Sequence, residues 1–264
     1  MDTTPSTTAG ADRLIEILMS SDVVGALWAA VDSGVMHELV PEFGALRMEQ
    51  DPVHRHKDVL AHTIIVVGKT PSDLHVRLAA FFHDIAKPKT RSFEHGGVTF
   101  RHHEAVGARI TRKRMIALGF PDEVVEEVSE LVRLSGRFKG YADGWSDSAV
   151  RRYAREAGPL LGRLNALVRS DCTTRNKSKE QALQRSIDEL ESRIADLAEQ
   201  QRRKAERPQI DGVAVMEHLG IGPGREVGDA VKWLLALKRS EGDLPDDEVY
   251  RRLDEWWSTR CADA

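Results

Sequence analysis

Cysteine is nearly absent. Cys172 and Cys261 are the only two in 264 residues, too few for the disulfide framework of a small secreted scaffold, and a reducing cytoplasm is the setting this usage fits. No apolar run approaches the roughly 18 residues needed to cross a bilayer, so no membrane partner is expected. The opening Met1-Asp2-Thr3-Thr4-Pro5-Ser6-Thr7-Thr8 has neither the basic start nor the apolar stretch of a signal peptide, and residues 1–11 read as a disordered leader. Positive charge is not in excess either. The net charge of −4 excludes a strongly basic protein that coats nucleic acid. Internal repeats are lacking as well.

What is present is a globular balance, 41% hydrophobic and 30% charged, long enough for one large domain or one domain with an appendage. Basic residues gather mid-chain, including Arg109, Arg112, Arg114, Arg163 and Arg169, while acid dominates from Glu241 to Glu248. That middle is either a phosphate-facing surface or a set of solvated helix faces of mixed charge.

Nearly every segment reads as helix, so the expected fold is all-α. Ser21-Asp22 caps a helix that Gly34 ends. Helices are expected from about His56 to Gly68, from Asp73 to Ala86 with Pro88 as the stop, and from His102 to Leu118 with Gly119 as the stop. Arg91 to Phe100 alone looks strand-like, with a turn at His95-Gly96-Gly97. Pro121-Asp122-Glu123, Ser146 and Gly158-Pro159 open further helices, the last running from Leu160 to Arg175. Leu183, Ile187, Leu190, Ile194 and Leu197 recur at spacings of 4, 3, 4 and 3, a stripe that faces a core on a long helix from Ser178 to about Glu206. Three shorter helices follow Pro208. The turn Gly220-Ile221-Gly222-Pro223-Gly224 either presents amides to phosphate or simply joins two helices.

Nine of the ten histidines fall between His37 and His103, a clustering that no folding requirement explains. Within it lies Phe81-Phe82-His83-Asp84-Ile85-Ala86-Lys87-Pro88. An adjacent His-Asp pair after an apolar helix is costly to bury without a partner, and a divalent cation is such a partner. Imidazole and carboxylate together suit Mn, Fe, Zn, Co or Ni. His62 on the preceding helix, His103 at the start of the following one, and Asp171 after Leu164, Leu167 and Val168 supply further ligand types. Lys87 is placed to meet a phosphate oxygen. His54, His56, His75 and His95 are expected to face solvent, and Cys172 to be a small core residue.

The order His62 … His83-Asp84 … Asp171 resembles the H…HD…D pattern of the HD superfamily, metal-dependent phosphomonoesterases and phosphodiesterases with a five-helix core. The match is closer to one branch. His56-Lys57-Asp58-Val59 … His62-Thr63, Arg77 to Pro88, Phe100-Arg101-His102-His103-Glu104, Ser148 to Tyr153, Asp171 to Asn176 and Leu219 to Gly224 are similar to the HD-containing C-terminal half of bacterial, actinobacterial-like CCA-adding tRNA nucleotidyltransferases. The similarity runs from about Leu14 to Trp257. It implies an HD-domain helical bundle at 51–177, preceded by an N-terminal helical segment at 12–50 and followed by a helical tail at 178–264.

Two departures bear on function. The nucleotidyltransferase head of that family needs an Asp-x-Asp pair, and none occurs, so this polypeptide alone is expected not to add CCA. Relatives with two metals carry a histidine where Ser135 stands, and Lys139 also replaces a common histidine. One ion rather than two is therefore expected, held by His62, His83, Asp84 and Asp171. By the same resemblance, Asp84 and Lys87 belong to the catalytic set. His103 would protonate the leaving oxygen or bind a weak second ion, and Lys87 with Arg109 would steady the phosphate. Two functions follow. One is a stand-alone phosphohydrolase acting on a nucleotide or on an RNA terminal or cyclic phosphate. The other is a tRNA-binding body without its catalytic head.

Overall fold

The computed structural model describes residues 7–48, 58–94, 97–174 and 176–262. The chain divides into two compact units, 1–194 and 195–264. The division falls inside the long helix, whereas the sequence places the tail's start at 178.

The first unit begins with α1 (Thr7–Leu18), so the leader is shorter than expected: residues 7–11 are helical, and Ala11 and Leu14 are buried. Arg77, itself buried, donates to the Leu18 carbonyl at 2.6 Å and so satisfies an orphan acceptor at the end of α1. Helix α2 (Val23–Asp32) is capped by Asp22, whose carboxylate accepts from the Gly25 amide. Two short helices follow, α3 (Val35–Leu39) and α4 (Pro41–Gly44). Gly34 and Gly119 both take positive φ, 85° and 87°, where a side chain would be strained, and each marks a helix boundary as the sequence predicts.

Helix α5 (Val59–Lys69) starts at its cap Asp58; the expected first helical residues, His56 and Lys57, and the neighbouring His54 lie outside the described residues. Helix α6 (Leu74–Phe82) is capped by Asp73 and buries every side chain from Val76 to Phe82. Its end corrects the sequence expectation: α6 stops at Phe82, not Ala86. His83 to Ala86 form tight turns, with Ile85 N on Phe82 O at 3.0 Å and Lys87 N on Asp84 O at 2.9 Å. Pro88 lies in the first turn of a short helix α7 (Lys87–Thr90), where its missing N–H costs nothing, so it starts a helix rather than stopping one.

An antiparallel pair, β1 (Ser92–Glu94) and β2 (Gly97–Thr99), pairs Ser92 with Thr99 and Phe93 with Val98. Their connection at His95-Gly96 lies outside the described residues. Helix α8 (His103–Leu118) packs on α9 (Asp122–Leu134), and α9 packs on α6. A 3-10 segment (Arg137–Asp143) follows α9. Then come α10 (Asp147–Ala157), capped by Ser146, and α11 (Leu161–Ser170). Helix α11 ends at Ser170, not Arg175, with Asp171 as its C-cap. Helix α12 (Lys177–Ala205) turns Ile187 and Leu190 fully inward, as its apolar stripe requires.

The core of this unit is aromatic at its centre. Phe43 and Phe81 stack at 4.1 Å, and Phe82 meets Phe81 edge-on at 4.8 Å. That packing fixes the end of α6, from which His83 and Asp84 emerge.

The second unit contains α13 (Gly212–Leu219), α14 (Arg225–Glu241) and α15 (Asp246–Ala262). Val215, Ala230, Leu234, Val249 and Leu253 form its own core. Gly220 takes positive φ at the end of α13, and the glycine turn joins α13 to α14. Among the described residues no helix is long and apolar enough to cross a membrane.

Candidate metal centre

Three elements bring the candidate ligands together: α5 carries His62, the turn after α6 carries His83 and Asp84, and the end of α11 carries Asp171. They meet at a cavity of about 910 Å³ in the first unit. Each of the three histidines there has its Nδ1 engaged. His83 Nδ1 lies 2.7 Å from the Ala80 carbonyl, His103 Nδ1 2.7 Å from the Phe100 carbonyl, and His62 Nδ1 2.9 Å from Thr173 Oγ1. A carbonyl only accepts, so Nδ1 of His83 and His103 holds the proton, and Nε2 is the nitrogen turned inward.

The inward nitrogens face carboxylates. His62 Nε2 is 3.0 Å from Asp171 Oδ1 and 3.6 Å from Asp84 Oδ2. His83 Nε2 is 3.2 Å from Asp84 Oδ2 and 3.5 Å from Asp171 Oδ1. Yet His83 Nε2 is buried and makes no hydrogen bond. A buried nitrogen aimed between two carboxylates without a partner is the geometry of a cation ligand. The donor atoms of His62, His83 and Asp171 all lie within 4.8 Å of one another, as one ion requires. The residues present therefore fit a divalent metal with mixed nitrogen and oxygen donors.

Asp84 lies against this trio but is not free. Its Oδ2 accepts from Lys87 Nζ at 2.7 Å, and both side chains are buried. Lys87 also lies over the Phe100 ring at 5.6 Å. Burial alone would raise the Asp84 carboxyl, but His83 and Lys87 hold it well below the usual carboxylate range. Asp171 keeps 42% of its side chain accessible, and against the partial loss of solvent around its carboxyl, which would raise it, His62 and His83 lower it likewise.

His103 is buried and lines the cavity, its Nε2 3.6 Å from Asp84 Oδ1. Burial lowers its affinity for a proton, which outweighs the attraction of Glu104. Arg109, expected to steady phosphate, is exposed on α8 and does not line the cavity. Lys139 does, and Glu104 accepts from it at 2.9 Å. Glu104 fits there because residue 136 is glycine: a Cβ at Gly136 would stand 2.1 Å from Glu104 Oε1. Ser135 also lines the cavity, but its hydroxyl donates to the Val132 carbonyl of its own helix at 2.9 Å.

Other sequence expectations come out differently. His75 is half-buried beside Glu127 at 3.6 Å and is not solvent-facing. Cys172 is half-buried and lines the cavity, so it is not a core residue. The mid-chain arginines are partly neutralised, Arg114 by Glu42, Arg163 by Asp73 and Glu127, and Arg169 by Asp188 and Glu191. Thr173 was not singled out from the sequence, although a hydroxyl two residues beyond an expected ligand was the available signal.

The charge of the ligand set determines its response to pH. Burial alone would lower the His83 imidazole, but the Asp84 and Asp171 carboxylates outweigh it and raise it to about 10. An ion needs the Nε2 lone pair, so loading near neutral pH must displace that proton. We expect one proton released per ion, and an apparent affinity that rises about tenfold per pH unit between roughly pH 7 and 8.5. The sign for ion-free stability is opposite. A pKa raised from 6.5 to about 10 contributes stability in full below 6.5, and that stability is lost as pH rises through 10. Calorimetric titration with Mn²⁺ in two buffers of different ionisation enthalpy measures the proton count, and a count of zero would refute the assignment.

A model of the HD domain matches residues 59–200. Over 259 residues the chain is 32% identical to the CC-adding tRNA nucleotidyltransferase of Thermus thermophilus, covering 93% of this chain and 56% of that protein. Over 254 residues it is 26% identical to the A-adding tRNA nucleotidyltransferase of Deinococcus radiodurans, covering 94% and 57%. The chain spans a little over half the length of the curated relatives it matches.

Proposed function

This chain belongs to the HD domain family, and on that premise we propose that it is a metal-dependent phosphohydrolase acting on a nucleotide or on an RNA terminal or cyclic phosphate. The observation that carries the reading is His83 Nε2, buried and without a hydrogen bond between two carboxylates at the cavity. A divalent ion held by His62, His83 and Asp171, with Asp84 beside them, would supply Lewis acidity and lower the pKa of a water from 15.7 to roughly 7.

The remaining roles fall to the chain's own groups. Lys87 fixes Asp84 through one of its three N–H donors and keeps the others for a phosphate oxygen at the cavity wall. His103, whose Nδ1–H is committed to Phe100 and whose burial lowers its proton affinity, presents a free Nε2 lone pair to the cavity, so it is suited to take up a proton from an attacking water rather than to protonate a leaving oxygen as the sequence suggested. Lys139 takes the part given to Arg109 by the sequence, as the cation at the cavity rim. Ile65, 46% exposed and also lining the cavity, offers an apolar surface for the organic part of the ester.

A second reading, that the chain binds tRNA without hydrolysing anything, is favoured by both relatives being tRNA nucleotidyltransferases. The two are separated by one pair of measurements on the full chain loaded with Mn²⁺. Phosphate release is screened over nucleoside monophosphates, cyclic phosphates and RNA 3′-phosphates, and tRNA binding is followed across a salt series. We expect turnover of at least one of these esters and weak competition by tRNA. Tight tRNA binding that falls steeply with salt, without hydrolysis of any ester, would replace the enzyme reading with the binding one.

A further inference from the structure

We propose that Lys69 is a positioning residue for the metal centre, seating Asp171 against the histidines through the backbone carbonyl that follows it. The inference rests on the metal-binding reading above. Asp171 is the least constrained of the three donors. His83 is almost fully buried and His62 sits within α5, whereas Asp171 is the last cap of α11, with 42% of its side chain accessible. It also opens the irregular segment that leads to α12.

Two side chains of α5 hold that segment. His62 meets Thr173 Oγ1 at 2.9 Å. Lys69, almost two turns further along and so on nearly the same helix face, donates to the Cys172 carbonyl at 2.7 Å and to Glu180 Oε1 at 2.7 Å. One ammonium thus ties the peptide next to Asp171 to the first turn of α12, and both to the helix that carries His62. Charge-assisted hydrogen bonds of this kind are roughly twice as strong as neutral ones. Lys69 does not line the cavity, so it is not placed to touch a bound ester. Any effect it has on the ion passes through Cys172 and Asp171. Without the tether, ion binding must first order the loop, and the cost appears as weaker affinity.

The test uses the full chain and Mn²⁺ as probe, with dissociation constants from chelator competition and thermal unfolding of the ion-free protein in parallel. Lys69→Met is expected to weaken Mn²⁺ binding by about 10–100-fold, the usual range for partners that orient a metal ligand. Lys69→Arg should recover most of the loss, because it keeps a cationic donor. The ion-free melting temperature should move by no more than about 4 °C, since the contacts are half-exposed. A purely structural role would move the melting temperature and leave the dissociation constant alone. If Lys69→Met does not fold, Lys69→Leu, which likewise has no donor for the Cys172 carbonyl, and Glu180→Gln, which leaves that bond in place and should keep Mn²⁺ binding near the parent value, give the reading instead. Binding within about twofold of the parent in the folded Lys69→Met or Lys69→Leu chain overturns the proposal. A parent chain that binds no Mn²⁺ removes it together with the reading beneath it.

Discussion

His83→Ala is expected to strip the ion from the chain and abolish phosphate release while leaving the helices in place. The imidazole is the one donor of the set that is both almost fully buried and without a hydrogen bond at Nε2, so nothing else can take over its position. Its loss leaves two oxygens and one nitrogen at distances set for a fourth donor. The neighbouring charges keep compensation of their own. Asp84 retains Lys87 at 2.7 Å, and Asp171 retains His62 at 3.0 Å. The fold therefore tolerates the change better than the site does. A bound ion contributes several kcal/mol to phosphoryl transfer, so activity should fall by about a thousandfold or more. Metal analysis and far-UV circular dichroism of the same preparation decide the matter. A folded His83→Ala chain that still carries one ion per molecule would show that the ion lies elsewhere.

The fold was legible where one residue alone sets a boundary. Asp22, Gly34, Gly119 and Ser146 end or begin helices where the sequence puts them, because capping and positive φ are local properties. Boundaries decided by tertiary contact were not legible. Helix α6 stops at Phe82 because His83 and Asp84 turn toward α5 and α11, a long-range attraction that no local pattern encodes. Helix α11 stops at Ser170 for the same reason, with Asp171 drawn to the histidines. In the site, the spacing of His62, His83, Asp84 and Asp171 was readable from ligand chemistry and family resemblance together. The partners of those residues were not. Thr173, Glu104 and Lys139 act through contacts across different elements, and the helix phase that turns Arg109 outward on α8 is set by tertiary packing.

Phe81→Ala is expected to give the opposite pattern from His83→Ala: a large loss of stability with the site chemistry intact in whatever remains folded. Phe81 is fully buried, stacked on Phe43 at 4.1 Å with 14° between the rings, and in edge contact with Phe82 at 4.8 Å. Truncating a buried phenylalanine costs about 3–5 kcal/mol, from lost transfer energy and the cavity left behind. Domains have only about 5–15 kcal/mol in total, so the first unit should lose a large share of its stability, with its melting temperature falling by roughly 10 °C. Phe93→Ala is the matched control. That side chain is 71% exposed on β1, and its removal should change stability by no more than about 0.5 kcal/mol. Because the ion binds only the folded state, saturating Mn²⁺ should return part of the loss in Phe81→Ala, about 2.7 kcal/mol at a hundredfold excess over the dissociation constant. It should return nothing in His83→Ala. Urea melts of the three variants with and without Mn²⁺ measure all of these shifts. A Phe81→Ala midpoint that matches the parent would mean that the Phe43–Phe81–Phe82 cluster does not hold the end of α6 in place.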